Sequence, residues 1–182
     1  MTRTNADFLI FCDSSFDPKY KTGVGGVLSL SSDNLSFQVP ISDLTVKTKL
    51  FTNATNTRLE LITVLWALNI VKRNCPTKKS DRFYHFKTII YTDCKTVSDL
   101  PSRRNKLQKV GFKSQRTGKS LSNADLYQKL YLLFDEIRPE IKWVKGHFPS
   151  QYHNVIQNLF SLVDKTTRAR LRKLKASVNF AS

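Results

Sequence analysis

The chain has 182 residues, 40% of them hydrophobic, with 30 Lys and Arg against 14 Asp and Glu and a formal net charge of +16. That length favours a single domain, residues 1–182, with a core of its own; no apolar run is long enough to span a bilayer and Met1–Asp7 lacks a signal peptide's apolar core, so neither a spanning helix nor a signal peptide is expected. The cysteines Cys12, Cys75 and Cys94 have neither disulfide-framework nor zinc-site spacing, so reduced thiols and a cytoplasmic protein are expected. The cation surplus marks a polyanion partner. It also makes each carboxylate costly, so Asp13, Glu60, Asp93 and Asp164 need reasons to be there.

Residues 7–13 read as a first strand, an apolar run ending in Asp13. Asp13-Ser14-Ser15-Phe16-Asp17-Pro18 reads as a turn. A second strand covers 23–30, and its glycines imply a bulge or a close approach by another element. No Lys-Ser/Thr pair follows them, which argues against a phosphate loop. Ser31–Asn34 reads as a hairpin turn into a third strand over 35–40, with a short extended piece at 44–50. Thr57–Lys72 is a helix apolar around most of its circumference, ended by Cys75-Pro76.

Lys87–Asp93 is a second doubly buried strand, Ile89-Ile90-Tyr91-Thr92, again finishing in a carboxylate. A helical turn follows at 95–100. From Arg103 to Lys119 there is no acid, and seven cations surround Val110-Gly111-Phe112. This basic, handle-like region (about 101–121) reads as a helix to Lys109 and then an exposed loop. Most charge runs are solvated faces, but one-sided charge around an aromatic favours contact with a nucleic-acid backbone. Ser122 and Asp125 have capping-box spacing at the start of a helix reaching Ile137. Ile141–Lys145 is a fifth strand, followed by the loop that carries His147. A final basic helix covers about 154–175, with a stripe of Lys165, Arg168, Arg172 and Lys175.

Two core strands separated by a helical pattern imply parallel neighbours joined by a crossover. Sites in such sheets lie beyond the strands' carboxyl ends. Asp13 and Asp93 would meet there, and two partly buried carboxylates together call for a proton or a metal ion. Metal ions are the expectation. Taken alone, Glu60 could instead complete a capping box with Thr57, and Asp164 could simply pair with Arg168 one turn on.

Five short motifs in order resemble the type 1 ribonuclease H family: Asp13-Ser14-Ser15, Asn56-Thr57-Arg58-Leu59-Glu60-Leu61, Tyr91-Thr92-Asp93-Cys94, Ser122-Asn123-Ala124-Asp125-Leu126-Tyr127 and Trp143-Val144-Lys145-Gly146-His147. Ser14 stands where the family has Gly, Cys94 where it has Ser, and the segment between His147 and Asp164 is longer than usual. The resemblance implies an α/β ribonuclease H-like fold, a five-stranded mixed sheet with helices on both faces. It implies hydrolysis of the RNA strand of RNA–DNA hybrids with two Mg²⁺ ions, or Mn²⁺ in their place. Asp13 would bridge the ions, Glu60 and Asp93 would hold one, Asp164 the other, and His147 would shuttle a proton or assist product release. Thr55, Asn56, Lys109, Phe112, Lys113, Arg116 and Tyr127 would contact substrate. A monomer acting on hybrid, away from membranes, is expected. The alternatives are a non-catalytic hybrid- or duplex-binding module, a resolvase-like nuclease on the same fold, and a ribonuclease H domain derived from a reverse transcriptase.

Overall fold

The computed structural model describes residues 7–31, 40–74, 87–146 and 154–179. Its strands are β1 (Phe8–Asp17), β2 (Thr22–Ser31), β3 (Lys47–Phe51), β4 (Thr88–Thr92) and β5 (Glu140–Trp143). They form one sheet in the order β3-β2-β1-β4-β5. β2 runs antiparallel to β1 and β3, whereas β4 runs parallel to β1 and β5. The helices are α1 (Asn56–Asn74), α2 (Lys95–Ser98), α3 (Leu100–Lys109), α4 (Ala124–Ile137) and α5 (Val155–Asn179). The expected mixed sheet with helices on both faces is what forms.

Alternation along β1 divides the core. Ile10 and Cys12 point to a cluster that includes Leu61, Leu68, Leu126 and Leu130 of α1 and α4. Leu9 and Phe11 point the other way, to Leu159, Phe160 and Val163 of α5. β4 serves both clusters, Ile90 on one side and Ile89 and Tyr91 on the other, which is why its sequence is a continuous apolar run. Among the described residues no helix is long and apolar enough to cross a membrane.

Several local readings change. β1 does not stop at Asp13: Ser14, Ser15, Phe16 and Asp17 stay paired with Gly25, Val24, Gly23 and Thr22, and the turn is at 18–21. The backbone ladder to β2 outweighs the turn preference of Asp and Ser. The β2 glycines form no bulge, but they do admit close neighbours. A Cβ on Gly25 would lie 2.3 Å from Thr63 Oγ1, and one on Gly26 would lie 2.3 Å from Thr167 Cγ2. One glycine thus seats α1 and the next seats α5, on opposite faces.

The third strand is the extended piece, Lys47–Phe51, preceded by a 3-10 turn at Ile41–Asp43. The expected hairpin and most of the 35–40 strand lie outside the described residues. No side-chain hydrogen bond caps α4 at Asn123. Asp125 instead turns its carboxylate to Arg58, with contacts of 3.0 and 2.7 Å, because a guanidinium fork offers two charge-assisted bonds against one from a backbone amide.

Candidate active site

β4 pairs with β1 only as far as Phe11, opposite Tyr91, while β1 continues beside β2. The sheet therefore splits on the β4 side of Asp13. The cleft that opens there is lined by Cys12, Asp13, Ser14, Glu60, Thr63, Val64, Thr92 and Asp93. Three carboxylates, Asp13, Glu60 and Asp93, reach it from different elements.

Asp13 sits opposite Gly26 in β1 and points to the α5 side. Burial, then the charges of Asp93 and Asp164, push its carboxyl up to about 7 from an ordinary 3.8. The Ser14 amide and the Thr167 hydroxyl work against that rise. Thr167 Oγ1 lies 3.3 Å from Asp13 Oδ2, but its single hydrogen is shared with the carbonyls of Asp164 and Val163, at 2.8 and 3.1 Å.

Glu60 comes from the first turns of α1. The cap of this helix is Thr55, whose Oγ1 accepts the Arg58 amide at 3.2 Å, so the capping-box role with Thr57 falls away. Instead Glu60 Oε1 accepts from Asn56 Nδ2 at 3.1 Å and Oε2 from Cys94 Sγ at 2.6 Å. Burial raises the Glu60 carboxyl, with Asp93 adding to the rise and the Cys94 and Asn56 donors opposing it. Burial, then the contact with Glu60, pushes the Cys94 thiol up to about 12. Cys94 is therefore a protonated donor and not a thiolate ligand.

Asp93 follows β4 directly. Its carbonyl accepts Trp143 Nε1 at 2.9 Å, tying it to β5. Gly146 lies so close that a Cβ there would stand 2.7 Å from Asp93 Oδ2. Asp164 lies on α5 and does pair with Arg168, Nε to Oδ1 at 2.6 Å. That pairing coexists with the repulsion between its charge and Asp13, so the two readings of Asp164 do not exclude each other.

The four acids thus converge on one end of the sheet. Among the described residues, no group of three or more His, Cys, Asp or Glu is arranged to hold a metal unaided. The donor set still fits a hard divalent cation. All the candidate donor atoms are carboxylate oxygens, and Asp13 is driven toward protonation by burial and by neighbouring negative charge, the second of which a cation would relieve.

The expected substrate contacts fall into two groups. Thr55 and Asn56 are exposed at the start of α1 beside Glu60, and Lys109, Lys113 and Arg116 are exposed on α3 and its loop. That loop is compact. Gly111 and Phe112 take φ of +58° and +56°, and Lys113 bridges Ser120. Phe112 is half-buried against the core and 6.2 Å from the Tyr131 ring. Tyr127 is 7% exposed, with the Arg103 guanidinium 6.0 Å from its ring. Both rings expected to contact substrate thus also pack against the protein's own side chains. His147 lies outside the described residues.

Sequence reasoning missed Arg58, which joins α1 to the start of α4 through Asp125, and Thr167 beside Asp13. Arg58 stood inside a motif already singled out for Glu60. For Thr167 the only signal was its place three residues after Asp164. Arg104 also pairs with Asp135, 2.7 Å from Nη2 to Oδ2, which removes one cation from the expected handle.

A mixed sheet with this strand order and a carboxylate cleft between its two central strands defines the ribonuclease H-like class of α/β proteins. The sequence model for "RNase H" matches residues 5–168. The chain belongs to the RNase H family. It is 33% identical over 99 residues to Ribonuclease H of Treponema denticola, covering 52% of this chain and 61% of that one. It is 33% identical over 97 residues to Ribonuclease H of Rickettsia canadensis, covering 52% and 54%. The matched stretch thus spans little more than half the length of these relatives. Among solved structures, LC9-RNase H1, described as a type 1 RNase H with the type 2 active-site motif, superposes with a TM-score of 0.63 at 16% identity over 92% of this chain and 74% of that one. The PFV RNase H domain superposes with a TM-score of 0.62 at 16% identity over 90% and 93%. These two likenesses are of fold.

Proposed function

We propose that the protein is a metal-dependent endonuclease that hydrolyses the RNA strand of RNA–DNA hybrids, working as a monomer in the cytoplasm. The observation that carries this is the meeting of Asp13, Glu60 and Asp93 in one cleft, with Asp164 near enough to act on Asp13, in a chain of the RNase H family. Two divalent ions, magnesium or manganese, would supply a polarised water and charge relief at the phosphate and leaving oxygen. Asp13, Glu60, Asp93 and Asp164 would hold them.

The chain's own groups prepare that site. Asn56 and Cys94 fix both oxygens of Glu60. Trp143 fixes the backbone of Asp93. Thr55 and Asn56, exposed at the start of α1, would meet the substrate backbone near the cut. An A-like duplex presents its 2′-hydroxyls in a wide, shallow minor groove, where the RNA strand can be told from DNA.

The test is incubation with labelled RNA–DNA, RNA–RNA, DNA–DNA and single-stranded RNA, in Mg²⁺ or in EDTA. Cutting of the RNA strand in the hybrid alone, abolished by EDTA, is the expected result. Binding of hybrid without cutting in either Mg²⁺ or Mn²⁺ would instead support a binding module.

A further inference from the structure

No acidic residue follows Asp164 in the sequence, whereas Lys165, Arg168, Arg170, Arg172, Lys173 and Lys175 do. The match to the family ends at residue 168, yet α5 continues to Asn179. Four of these cations, Lys165, Arg168, Arg172 and Lys175, recur at spacings of three or four and so share one face. Two contacts locate that face. Arg168 pairs with Asp164 at its start, and Lys175 Nζ reaches Asp17 Oδ2 at 2.5 Å near its end.

Asp17 is the last residue of β1 and only 4% exposed. The stripe therefore leaves the carboxylates and runs alongside β1 to the β1–β2 turn, a rise of roughly 16 Å. Exposed Lys19 and Lys21 stand in that turn, and Lys19 lies 5.1 Å from the ring of Tyr20, which is 42% exposed.

We propose that this face of α5, together with Lys19 in the turn, is a second docking surface for the phosphate backbone of the hybrid. It lies across the cleft from α3 and its loop. Those elements rest on the α1 and α4 core, into which Leu100 and Leu107 insert, whereas α5 packs on the other face of the sheet. The two basic surfaces flank the carboxylates from opposite sides. A duplex whose cut phosphate reaches the cleft must extend past both edges of the site, so a regular polyanion is the occupant that both charge and direction fit. A protein ligand with an acidic surface would match the charge but not the line of it leading out from Asp164. The proposal rests on the reading of the protein as acting on hybrids.

The experiment compares two double variants with wild type. Lys19→Gln with Arg172→Gln removes two charges from the surface. Arg170→Gln with Lys173→Gln removes two from another face of the same helix. Binding of a labelled hybrid of about 24 base pairs is followed by anisotropy in EDTA over a range of salt. The first variant should flatten the log–log salt slope by about 1.4 to 1.8, two phosphates' worth, and the second by clearly less. Circular dichroism checks that both remain folded. An unchanged slope in the first variant, an equal fall in both, or no binding by wild type would each overturn the proposal. Wild type that binds hybrid but never cuts it, with the slope still lowered by the first variant, would uphold the surface and overturn the proposed activity.

Discussion

Cys94 Sγ stands 2.6 Å from Glu60 Oε2, a thiol giving its hydrogen to a half-buried carboxylate on another element. Burial and the carboxylate both oppose loss of that hydrogen, so the contact is a fixed donor and not a redox or metal-binding feature. Cys94→Ser keeps a donor at the same place and should retain turnover within about threefold of wild type. Cys94→Val keeps the volume and removes the donor. A hydrogen bond to a charged group contributes about 1.5–3 kcal/mol, so kcat should fall roughly tenfold or more. Steady-state kinetics of both variants check this; equal rates for Ser and Val would remove Cys94 from any positioning of Glu60.

Asp13 makes metal-free stability depend on pH. Its folded pKa is raised from 3.8 to about 7, so between those values the folded chain binds more protons than the unfolded one. Stability therefore falls as pH rises through that window, by up to about 1.4 kcal/mol per pH unit at its steepest. Below the window Asp13 imposes no penalty, and above it the full penalty is present. In EDTA, Asp13→Asn should raise Tm at pH 8 and change it little at pH 4, while abolishing turnover. Added Mg²⁺ should raise the wild-type Tm more than the variant's. Thermal melts of both proteins at the two pH values decide; a Tm difference between wild type and Asp13→Asn that is the same at pH 4 and pH 8 would contradict the raised carboxyl.

Gly26→Ala tests the seat of α5. The added methyl would lie 2.3 Å from Thr167 Cγ2 and 3.1 Å from Val163 Cγ1. The helix must shift, at a cost of about 1–3 kcal/mol, and Asp164 moves with it. Denaturant melts should show that loss, and turnover should fall further than stability alone accounts for. Gly26→Ala with Thr167→Ser, which removes the offending Cγ2, should recover part of both.

The exposed cations beyond α3 separate binding from chemistry. Changing Lys109, Lys113 and Arg116 to Ala leaves the carboxylates untouched, so kcat at saturating hybrid should stay within about twofold. KM should rise, most at high salt, and the salt slope of binding should flatten by up to about three phosphates' worth. A merely solvated face predicts no change in either quantity, and measuring KM at several salt concentrations distinguishes the two.

How much of this was legible in the sequence depends on the range of each interaction. The strands at Ile89–Thr92 and Phe8–Cys12 declared themselves because a strand covered on both faces leaves no room for polar residues. The carboxylates stood out because acids are scarce in so basic a chain. Asp13–Pro18 read as a turn because local preference was the only information there. The pairing with Thr22–Gly26 that keeps β1 extended is tertiary. Asp125 misled for a related reason: its spacing from Ser122 fits a cap, and its partner Arg58 is 67 residues away. Tyr127 and Phe112 were named as substrate contacts by resemblance, and their packing beside Arg103 and Tyr131 depends on contacts that the motifs do not contain.

α5 begins with a reciprocal cap: Asn154 Oδ1 accepts the Gln157 amide at 3.0 Å, and Gln157 Oε1 accepts the Asn154 amide at 2.8 Å. The cap pins the helix's first turn by contacts made entirely within it. Asp164 is thus set in rotational phase by counting from Asn154, whatever length of chain comes before. A change of chain length ahead of residue 154 would then leave the last carboxylate indexed to the site. Hydrogen exchange at the first-turn amides of α5, unchanged when residues are added or removed ahead of the cap, is the signature of that uncoupling.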